Sequence, residues 1–307
     1  MSRLLDKRLV FVTGKGGVGK STVATALGMI AARSGRRTIV AELASQQRVQ
    51  GNFDQDAEHF TEVELADGLF AISIDPQRAM EEYLHLKVGA LGHLLSSSRL
   101  FQVFAMATPG MRELLSVGKV WELAQFERRT AGADSYDFVV VDAPATGHGV
   151  GILRTPRTFA EIARVGPIAR QGRTIADMIS NSDFTGVVAV ATPEEMAVNE
   201  TFVLAAALAE EQLELDVVVV NALYPARFDD AELARLQKAD ASTGSPVARS
   251  AVRAALSEHA RAQSQREQLA RLCEGLILPP LELPYLFCER LGREQIERLA
   301  AVLEPQL

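Results

Sequence analysis

The stretch Gly14-Lys-Gly-Gly-Val-Gly-Lys-Ser-Thr22 decides the fold of this 307-residue chain. It follows a short apolar run at residues 9–13 and opens a helical pattern at residues 21–33, so it joins a strand to a helix. A glycine-rich loop in this position turns several backbone N–H groups toward one anion, and the helix N-terminus adds its positive dipole. The pattern G-x-x-x-x-G-K-[ST] in this context predicts a phosphate-binding loop.

Two side chains of the loop have specific expected roles. Lys20 is expected to hold the β- and γ-phosphates of ATP, and the Ser21 hydroxyl is expected to ligate Mg²⁺. The other positions expected to bind the nucleotide are Gly14, Gly16, Gly17, Val18, Gly19 and Thr22. The loop therefore predicts ATP and magnesium as ligands.

Short apolar, β-branched runs alternate with longer helical patterns along the rest of the chain. Strands are expected at residues 9–13, 38–41, 69–74, 137–141, 186–191, 216–220 and 275–278, and helices at 21–33, 194–210, 247–272 and 293–303. This alternation favours an α/β fold with a doubly wound, mainly parallel sheet, as in P-loop nucleoside triphosphatases.

The third and fourth expected strands are separated by about sixty residues that carry no strand signal and are rich in Leu, Phe, Met and Val. We expect a helical insertion over about 78–132, with further helices over about 155–183, at one edge of the sheet. No repeat or linker is visible, so residues 1–307 are interpreted as one domain. The apolar side chains of segment 91–111 either fill a small helical core or line an exposed groove.

Composition argues against several classes of function. The net charge of -7 argues against a nucleic-acid partner, because phosphate contacts need clustered Lys and Arg. No run approaches the roughly 20 apolar residues of a membrane span, and residues 1–8 are too polar for a signal peptide. We expect a cytoplasmic protein. Cys273 and Cys288 have no CxxC spacing, so buried or incidental thiols are expected and no zinc.

Lys15 is a second lysine, too early in the loop to duplicate Lys20. The form Gly14-Lys-Gly-Gly-Val-Gly-Lys20 resembles the deviant Walker A family of ATPases. This resemblance implies that Lys15 crosses a dimer interface to the partner's nucleotide and neutralises charge on the transferred phosphoryl group. A solvated lysine is the alternative.

Asp142 follows the strand expected at 137–141 and precedes Ala-Pro-Ala-Thr-Gly-His148. Open α/β sheets bind ligands at the carboxyl ends of their strands. Asp142 is therefore expected to hold Mg²⁺ through a water. The Gly147 N–H is expected to meet the γ-phosphate and to report its loss, which is a switch II role.

The segment from Asp142 to Pro156 looks like the switch II region of a narrower family. That family contains the arsenite-pump ATPase and the eukaryotic ATPase for guided entry of tail-anchored proteins. Other matching stretches are Ile74-Asp-Pro76, Pro109-Gly110 with Glu113, Ala191-Thr-Pro-Glu-Glu195 and Val220-Asn-Ala-Leu-Tyr-Pro225. The resemblance, that of a bacterial member, runs from residue 8 to about 225. It implies that Asn221 binds the purine base, and a turn residue at a strand end is the alternative.

Switch I departs from this family. The family has Asp-Pro-Ala-His after its second strand, whereas this chain has Val40-Ala-Glu-Leu-Ala-Ser45. Glu42 stands at the Asp position with one extra methylene. It either orients the attacking water or leaves turnover slow or absent, because catalytic geometry tolerates little misplacement. The family's metal-binding CxxC and the clustered cysteines of an arsenite pump are missing, which argues against a zinc bridge and against arsenite transport.

The resemblance implies a Mg-ATP-dependent, dimerising ATPase switch. It would couple ATP binding and hydrolysis to the handling of a client protein or membrane partner, as a homodimer or as a heterodimer with a related ATPase subunit. The alternatives are a weakly or non-hydrolysing nucleotide-binding regulatory subunit of a heterodimer and an anion-pump motor. In the tail-anchored targeting ATPase the helical insertion forms an apolar groove when ATP closes the dimer. A hydrophobic client is therefore the ligand expected for segment 91–111.

Overall fold

A computed structural model describes residues 4–43, 48–55, 60–88, 107–130, 132–163, 166–242 and 244–307. Its strands are β1 (Leu9–Gly14), β2 (Thr38–Glu42), β3 (Val63–Ala66), β4 (Leu69–Ser73), β5 (Phe138–Asp142), β6 (Thr185–Ala191), β7 (Val217–Leu223) and β8 (Leu281–Pro284). Its helices are α1 (Lys20–Arg33), α2 (Arg48–Gly51), α3 (Pro76–Val88), α4 (Met111–Leu123), α5 (Thr146–Ala163), α6 (Pro167–Ser180), α7 (Glu195–Glu210), α8 (Asp230–Ser242), α9 (Pro246–Gly275) and α10 (Arg293–Leu303).

The strands form one sheet in the order β3-β4-β2-β5-β1-β6-β7-β8. All neighbouring strands run parallel except β3, which pairs antiparallel with β4 at the edge. Every residue of β1, β5 and β6 is buried, which explains their almost continuous apolar sequences. The predicted α/β fold with a mainly parallel sheet is confirmed.

Helices cover both faces of the sheet. Val10 and Val12 of β1 belong to a core that includes α1 and α10, whereas Leu9 and Phe11 belong to a core on the other face that includes α4, α5, α6, α7 and α9. Successive side chains of a strand point to opposite faces, so each central strand supplies both cores. Such a two-sided core holds β1 and its neighbour β5 firmly and brings their carboxyl ends side by side.

The prediction of a strand at residues 275–278 is wrong. Gly275 ends α9, and the strand that pairs with β7 is β8, Leu281–Pro284. Leu276 packs on the core while Ile277 is fully exposed, so the apolar run has one buried side but no strand partner. Pro279 and Pro280 follow it and supply no backbone N–H for a sheet ladder. Pairing therefore begins after the prolines.

The described part of the expected insertion is helical. Residues 76–88 form α3, residues 111–123 form α4, and α5 and α6 cover much of the range expected for the further helices. Most of segment 91–111 lies outside the described residues. The extent of the insertion and the single domain over 1–307 stay predictions.

The described residues test two further predictions, one about membrane-spanning helices and one about the two cysteines. In the described ranges, no helix is long and apolar enough to cross a membrane. Cys273 and Cys288 are free and exposed, so of the two alternatives for these thiols, buried or incidental, the buried one is excluded. Cys273 lies near the end of α9, and Cys288 follows β8.

Candidate nucleotide-binding site

The phosphate-binding loop lies between β1 and α1, and its conformation requires glycine. Gly14 and Gly19 have φ angles of 145° and 95°, which side-chain-bearing residues rarely adopt. A Cβ atom at Gly14 would lie 2.1 Å from the carbonyl oxygen of Val190 on β6. A Cβ atom at Gly19 would lie 2.3 Å from Nδ2 of Asn221 on β7. The loop is therefore fixed against the ends of two neighbouring strands.

Ser21 and Asp142 meet at the carboxyl edge of the sheet. The Ser21 hydroxyl donates a 2.5 Å hydrogen bond to Oδ2 of Asp142. Asp142 ends β5, where it is paired in register with Val12 of β1. Burial raises the pKa of Asp142, although Ser21 and Lys20 act in the opposite direction. The two residues predicted to hold magnesium are thus brought together.

Lys20 lies beside this pair. Its ammonium group donates a 3.0 Å hydrogen bond to the Lys15 carbonyl, which holds the side chain along the loop. Burial lowers the pKa of Lys20, and the charge of Asp142 partly offsets this effect. A hydroxyl and a carboxylate in contact are oxygen ligands of the kind that Mg²⁺ prefers. A bound cation would also offset the desolvation of Asp142. The residues present therefore fit a magnesium ion.

Glu42 is the last residue of β2 and is paired in register with Asp142 of β5. Its side chain is only 2% exposed. Oε1 accepts a 2.8 Å hydrogen bond from the Arg48 N–H, while the buried Oε2 has no hydrogen-bond partner in the described part of the chain. Burial raises the pKa of Glu42 to about 7, and the charge of Asp142 adds to this rise. Hydrogen bonds from the N–H groups of Val49 and Arg48 favour the ionised form and act in the opposite direction.

These groups face a cavity of about 790 Å³, within the range of ligand sites. Its walls come from the loop, from the ends of β2 and β5, from the segment that contains α2, and from the segment after β8. The lining residues are Gly16, Gly17, Gly19, Lys20, Ser21, Thr22, Glu42, Arg48, Gly51, Asn52, Asp142, Ala143, Pro144, Ala145, Arg290 and Leu291.

Arg48 and Arg290 were not predicted as site residues. Arg48 is six residues beyond Glu42, and no motif at that spacing marks it. Arg290 reaches the cavity from the distant C-terminal part of the chain and bonds with Nη2 to Asp54 Oδ1 at 2.8 Å and to the Gly51 carbonyl at 3.2 Å. The contact joins residues more than 200 positions apart, which local sequence patterns do not reveal.

Lys15 forms an ion pair with Glu200 of α7, at 3.0 Å between Nζ and Oε1. Each of the two side chains is about one-third exposed. Glu200 was not predicted, because only tertiary packing brings α7 to the loop. Gly147 lies in the first turn of α5, five residues beyond Asp142. The roles of Lys15 and Gly147 in catalysis stay predictions.

Asn221 contacts the loop itself. Its Nδ2 donates a 2.9 Å hydrogen bond to the Val18 carbonyl. Asn221 is followed by Ala222, whose φ of 65° is uncommon for a residue with a side chain. Gln265 of α9 holds this bend, because it donates to the Ala222 carbonyl at 3.3 Å and accepts from the Tyr224 N–H at 2.8 Å. The binding of a purine base by Asn221 stays a prediction.

A second cavity, of about 300 Å³, lies among α3, α4 and α6 and is lined mainly by apolar side chains. Its apolar lining residues include Met80, Leu84, Leu114, Leu115, Trp121 and Ile175. Lys119 and Glu122 on its wall belong to a buried ionic network. This cavity is the described part of the region in which the sequence predicts a core or a groove.

Arg128 is the centre of that ionic network. Its fully buried guanidinium pairs with Glu62 at 2.7 Å and with Glu122 at 2.9 Å, and Tyr136 donates to Glu62 at 2.6 Å. Burial alone would raise the pKa of Glu122, but the contacts with Arg128 and Lys119 outweigh it and lower this pKa to about 2. The network connects α4 to the segment before β5, with Arg128, Lys119 and Glu122 buried and Glu62 half-buried.

The fold and the site together define a class of protein. A P-loop nucleoside triphosphate site consists of a glycine-rich loop between a central parallel strand and a helix, a lysine at the end of that loop, and a serine that contacts a carboxylate at the end of the adjacent strand. Comparison with known proteins agrees, since the sequence profile of the anion-transporting ATPase family matches residues 7–171 and 161–243. The chain belongs to this family of ATPases.

Individual relatives support the assignment. ATPase BagA of Mycobacterium tuberculosis is 29% identical over 92% of this chain and 88% of its own length. A putative arsenical pump-driving ATPase of Halobacterium salinarum is 31% identical over 72% of this chain and 35% of its own length. ATPase GET3 of Candida glabrata is 27% identical over 72% of this chain and 73% of its own length. The resemblance inferred from the switch II region is confirmed.

Proposed function

We propose that this chain is a Mg-ATP-dependent, dimerising ATPase switch that couples ATP binding and hydrolysis to the handling of a client protein or membrane partner. The observation that carries the proposal is the 2.5 Å contact between Ser21 and Asp142 beside Lys20, at one wall of a cavity of about 790 Å³. Membership of an ATPase family supports ATP as the nucleotide.

The residues of the loop bind and orient the nucleotide in this proposal. Backbone N–H groups of the loop and the ammonium of Lys20 hold the phosphates, and Ser21 and Asp142 hold Mg²⁺. The ion supplies neutralising charge for the phosphate oxygens. Pre-positioned cations of this kind act most strongly where water is excluded, and the burial of Asp142 fits that requirement.

Glu42 orients the attacking water by accepting a hydrogen bond from it, and can then accept its proton. Its Oε2 has no partner among the described residues, and its pKa of about 7 lies near neutral pH, where a carboxylate can both accept and release a proton. The position opposite Asp142 brings this acceptor to the metal side of the cavity. The hydrogen bond from the Arg48 N–H to Oε1 fixes the orientation of the Glu42 carboxylate.

Pairing of two subunits completes the proposed switch. Lys15 is held by Glu200 of its own chain, and both side chains are partly exposed. An ion pair of this exposure is weak, so the exchange of Glu200 for a partner's nucleotide phosphate costs little. The partner is a second copy or a related ATPase subunit. The cavity between α3, α4 and α6 is suited to an apolar side chain of a client.

A weakly hydrolysing regulatory subunit is the second candidate. The observation that favours it is that Oε1 of Glu42 is already bonded to the Arg48 N–H, so only one carboxylate oxygen remains for water. Such a subunit would bind Mg-ATP and depend on another chain for turnover.

The experiment that tests the proposal measures the mass of the purified chain in solution and its ATPase rate, with and without Mg-ATP. The wild-type chain is expected to pair on adding Mg-ATP and to hydrolyse it. Lys20→Ala should lose nucleotide binding, whereas Lys15→Ala should bind ATP and lose turnover. A monomer that binds ATP without turnover supports the regulatory subunit. Normal ATP binding by Lys20→Ala refutes the site.

A further inference from the structure

Arg48 is a cation of the nucleotide cavity that the loop motif does not include. It opens the short helix α2, is exposed, and lines the cavity together with Lys20, Ser21 and Asp142. Its guanidinium group forms no hydrogen bond or salt bridge with any residue in the described ranges. Arg290, on the same cavity, differs because its guanidinium is bonded to Asp54 and to the Gly51 carbonyl.

The charge of Arg48 acts on the other charged groups of the site. Burial raises the pKa of Asp142, and the charge of Arg48 opposes this rise, although less than Ser21 and Lys20 do. The charge of Arg48 also opposes the rise in the pKa of Glu42 that burial causes. Arg48 nevertheless makes no direct salt bridge with either carboxylate among the described contacts. An arginine without a carboxylate partner that faces a phosphate-binding cavity can present two or more N–H groups to one phosphate.

Glu42 controls where this arginine lies. Its Oε1 accepts the Arg48 N–H at 2.8 Å, so the backbone that carries the guanidinium is tied to the end of β2. The buried position of Glu42 leaves that carboxylate little freedom to move. Segment 48–51 therefore holds Arg48 at the cavity through the same residue that stands opposite Asp142.

We propose that Arg48 binds the terminal phosphate of a nucleoside triphosphate in this cavity, that Glu42 positions it, and that this contact distinguishes triphosphate from diphosphate. The proposal rests on the proposed function, since it requires the cavity to bind ATP. A diphosphate bound at the loop lacks the group that Arg48 contacts. The arginine thus contributes to affinity for one nucleotide and not for the other.

The test is calorimetric titration of the full chain with a Mg-bound, non-hydrolysable ATP analogue and with Mg-ADP. Arg48→Ala is expected to weaken triphosphate binding by about ten- to a hundredfold, the size of a hydrogen bond to a charged group, and to change ADP binding less than about threefold. Arg253→Ala is the matched control, because Arg253 is an exposed arginine on α9 paired with Asp240. It should leave both affinities unchanged.

Two further variants separate positioning from folding. Glu42→Ala removes the acceptor for the Arg48 N–H and should lower the triphosphate preference, whereas Glu42→Gln keeps an acceptor oxygen and should retain most of it. Each variant is compared with wild type by thermal unfolding. An equal loss for both nucleotides, or an unchanged preference in Arg48→Ala, overturns the role of Arg48. If the wild-type chain binds neither nucleotide, it is the proposed function that fails.

Discussion

Ser21 donates a 2.5 Å hydrogen bond to Asp142, although 121 positions separate the two residues along the chain. Ser21 lies in the first turn of α1, directly after the loop that follows β1, and Asp142 is the last residue of β5. The parallel pairing of β1 with β5 therefore creates the contact. A hydroxyl and a carboxylate held this close form two neighbouring oxygen ligands.

Replacing Asp142 should separate metal binding from nucleotide binding. Asp142→Asn keeps the size of the side chain and a hydrogen-bond acceptor for Ser21 but removes the negative charge. We expect at least a tenfold loss of affinity for Mg-ATP, because Mg²⁺ favours carboxylate ligands, and little change for ATP in the presence of a chelator. Titration calorimetry measures both. Asp134→Asn is the control, since Asp134 is highly exposed. Unchanged Mg-ATP affinity in Asp142→Asn would contradict the metal site.

Glu42 should make the stability of the nucleotide-free chain depend on pH. Its pKa is raised to about 7 from 4.5, so the folded state binds more protons than the unfolded state between these pH values. The free energy of unfolding must then fall as pH rises through this window, by about 2–3 kcal/mol between pH 4.5 and pH 8. Urea unfolding at several pH values measures the fall. Glu42→Gln should show a fall that is smaller by about this amount, and parallel pH curves for the two proteins would argue against the buried carboxylate.

Gly14 should tolerate no side chain. In Gly14→Ala the new Cβ would lie 2.1 Å from the Val190 carbonyl, and a φ of 145° is strained for alanine, so β1 or β6 must shift. We expect a loss of about 3 kcal/mol or more of stability and loss of nucleotide binding. Gly118→Ala is the control, because a Cβ atom there meets nothing within 4 Å in helix α4. The control should stabilise the chain by about 0.5–1 kcal/mol. Equal unfolding temperatures for the two variants would rule out the close approach.

Arg128 should contribute far more to stability than a surface arginine. Arg128→Ala leaves the buried Glu122 and the half-buried Glu62 without their shared cation, and we expect a loss of about 3 kcal/mol or more. Arg157→Ala removes an exposed i,i+4 pair with Glu161 and should cost less than about 0.5 kcal/mol. Denaturant unfolding of both variants checks the contrast. A similar small loss in each would mean that the buried network is not coupled to folding.

The parts of the molecule that local sequence determines were predictable. The loop from Gly14 to Thr22 carries its own backbone requirement, and the central strands are recognisable because burial on both faces demands continuous apolar sequence. Helix α8 was not predicted because none of its residues is buried and no apolar face marks it. Strand β3 was missed because it is short and lies at the sheet edge.

Contacts between distant segments could not be predicted in the same way. Arg48 belongs to the site because α2 folds back under Glu42, and Arg290 belongs to it because the segment after β8 returns to Asp54. Asn221 was predicted at the site, but its hydrogen bond to Val18 depends on the register of β7 with β6. These relationships are set by the whole sheet and leave no periodic signal.

The hydrogen bonds of Gln265 connect the bend beside Asn221 to the long helix α9. Asn221 touches the phosphate loop, and Gln265 joins that bend to a rod of 30 residues, about 45 Å long. From Gln265 to the start of the rod at Pro246 is about 28 Å, so a tilt of about 5° at the loop end would displace the far end by about 2.4 Å. A tilt of α9 that keeps these hydrogen bonds therefore moves its N-terminal end much farther than the bend beside Asn221.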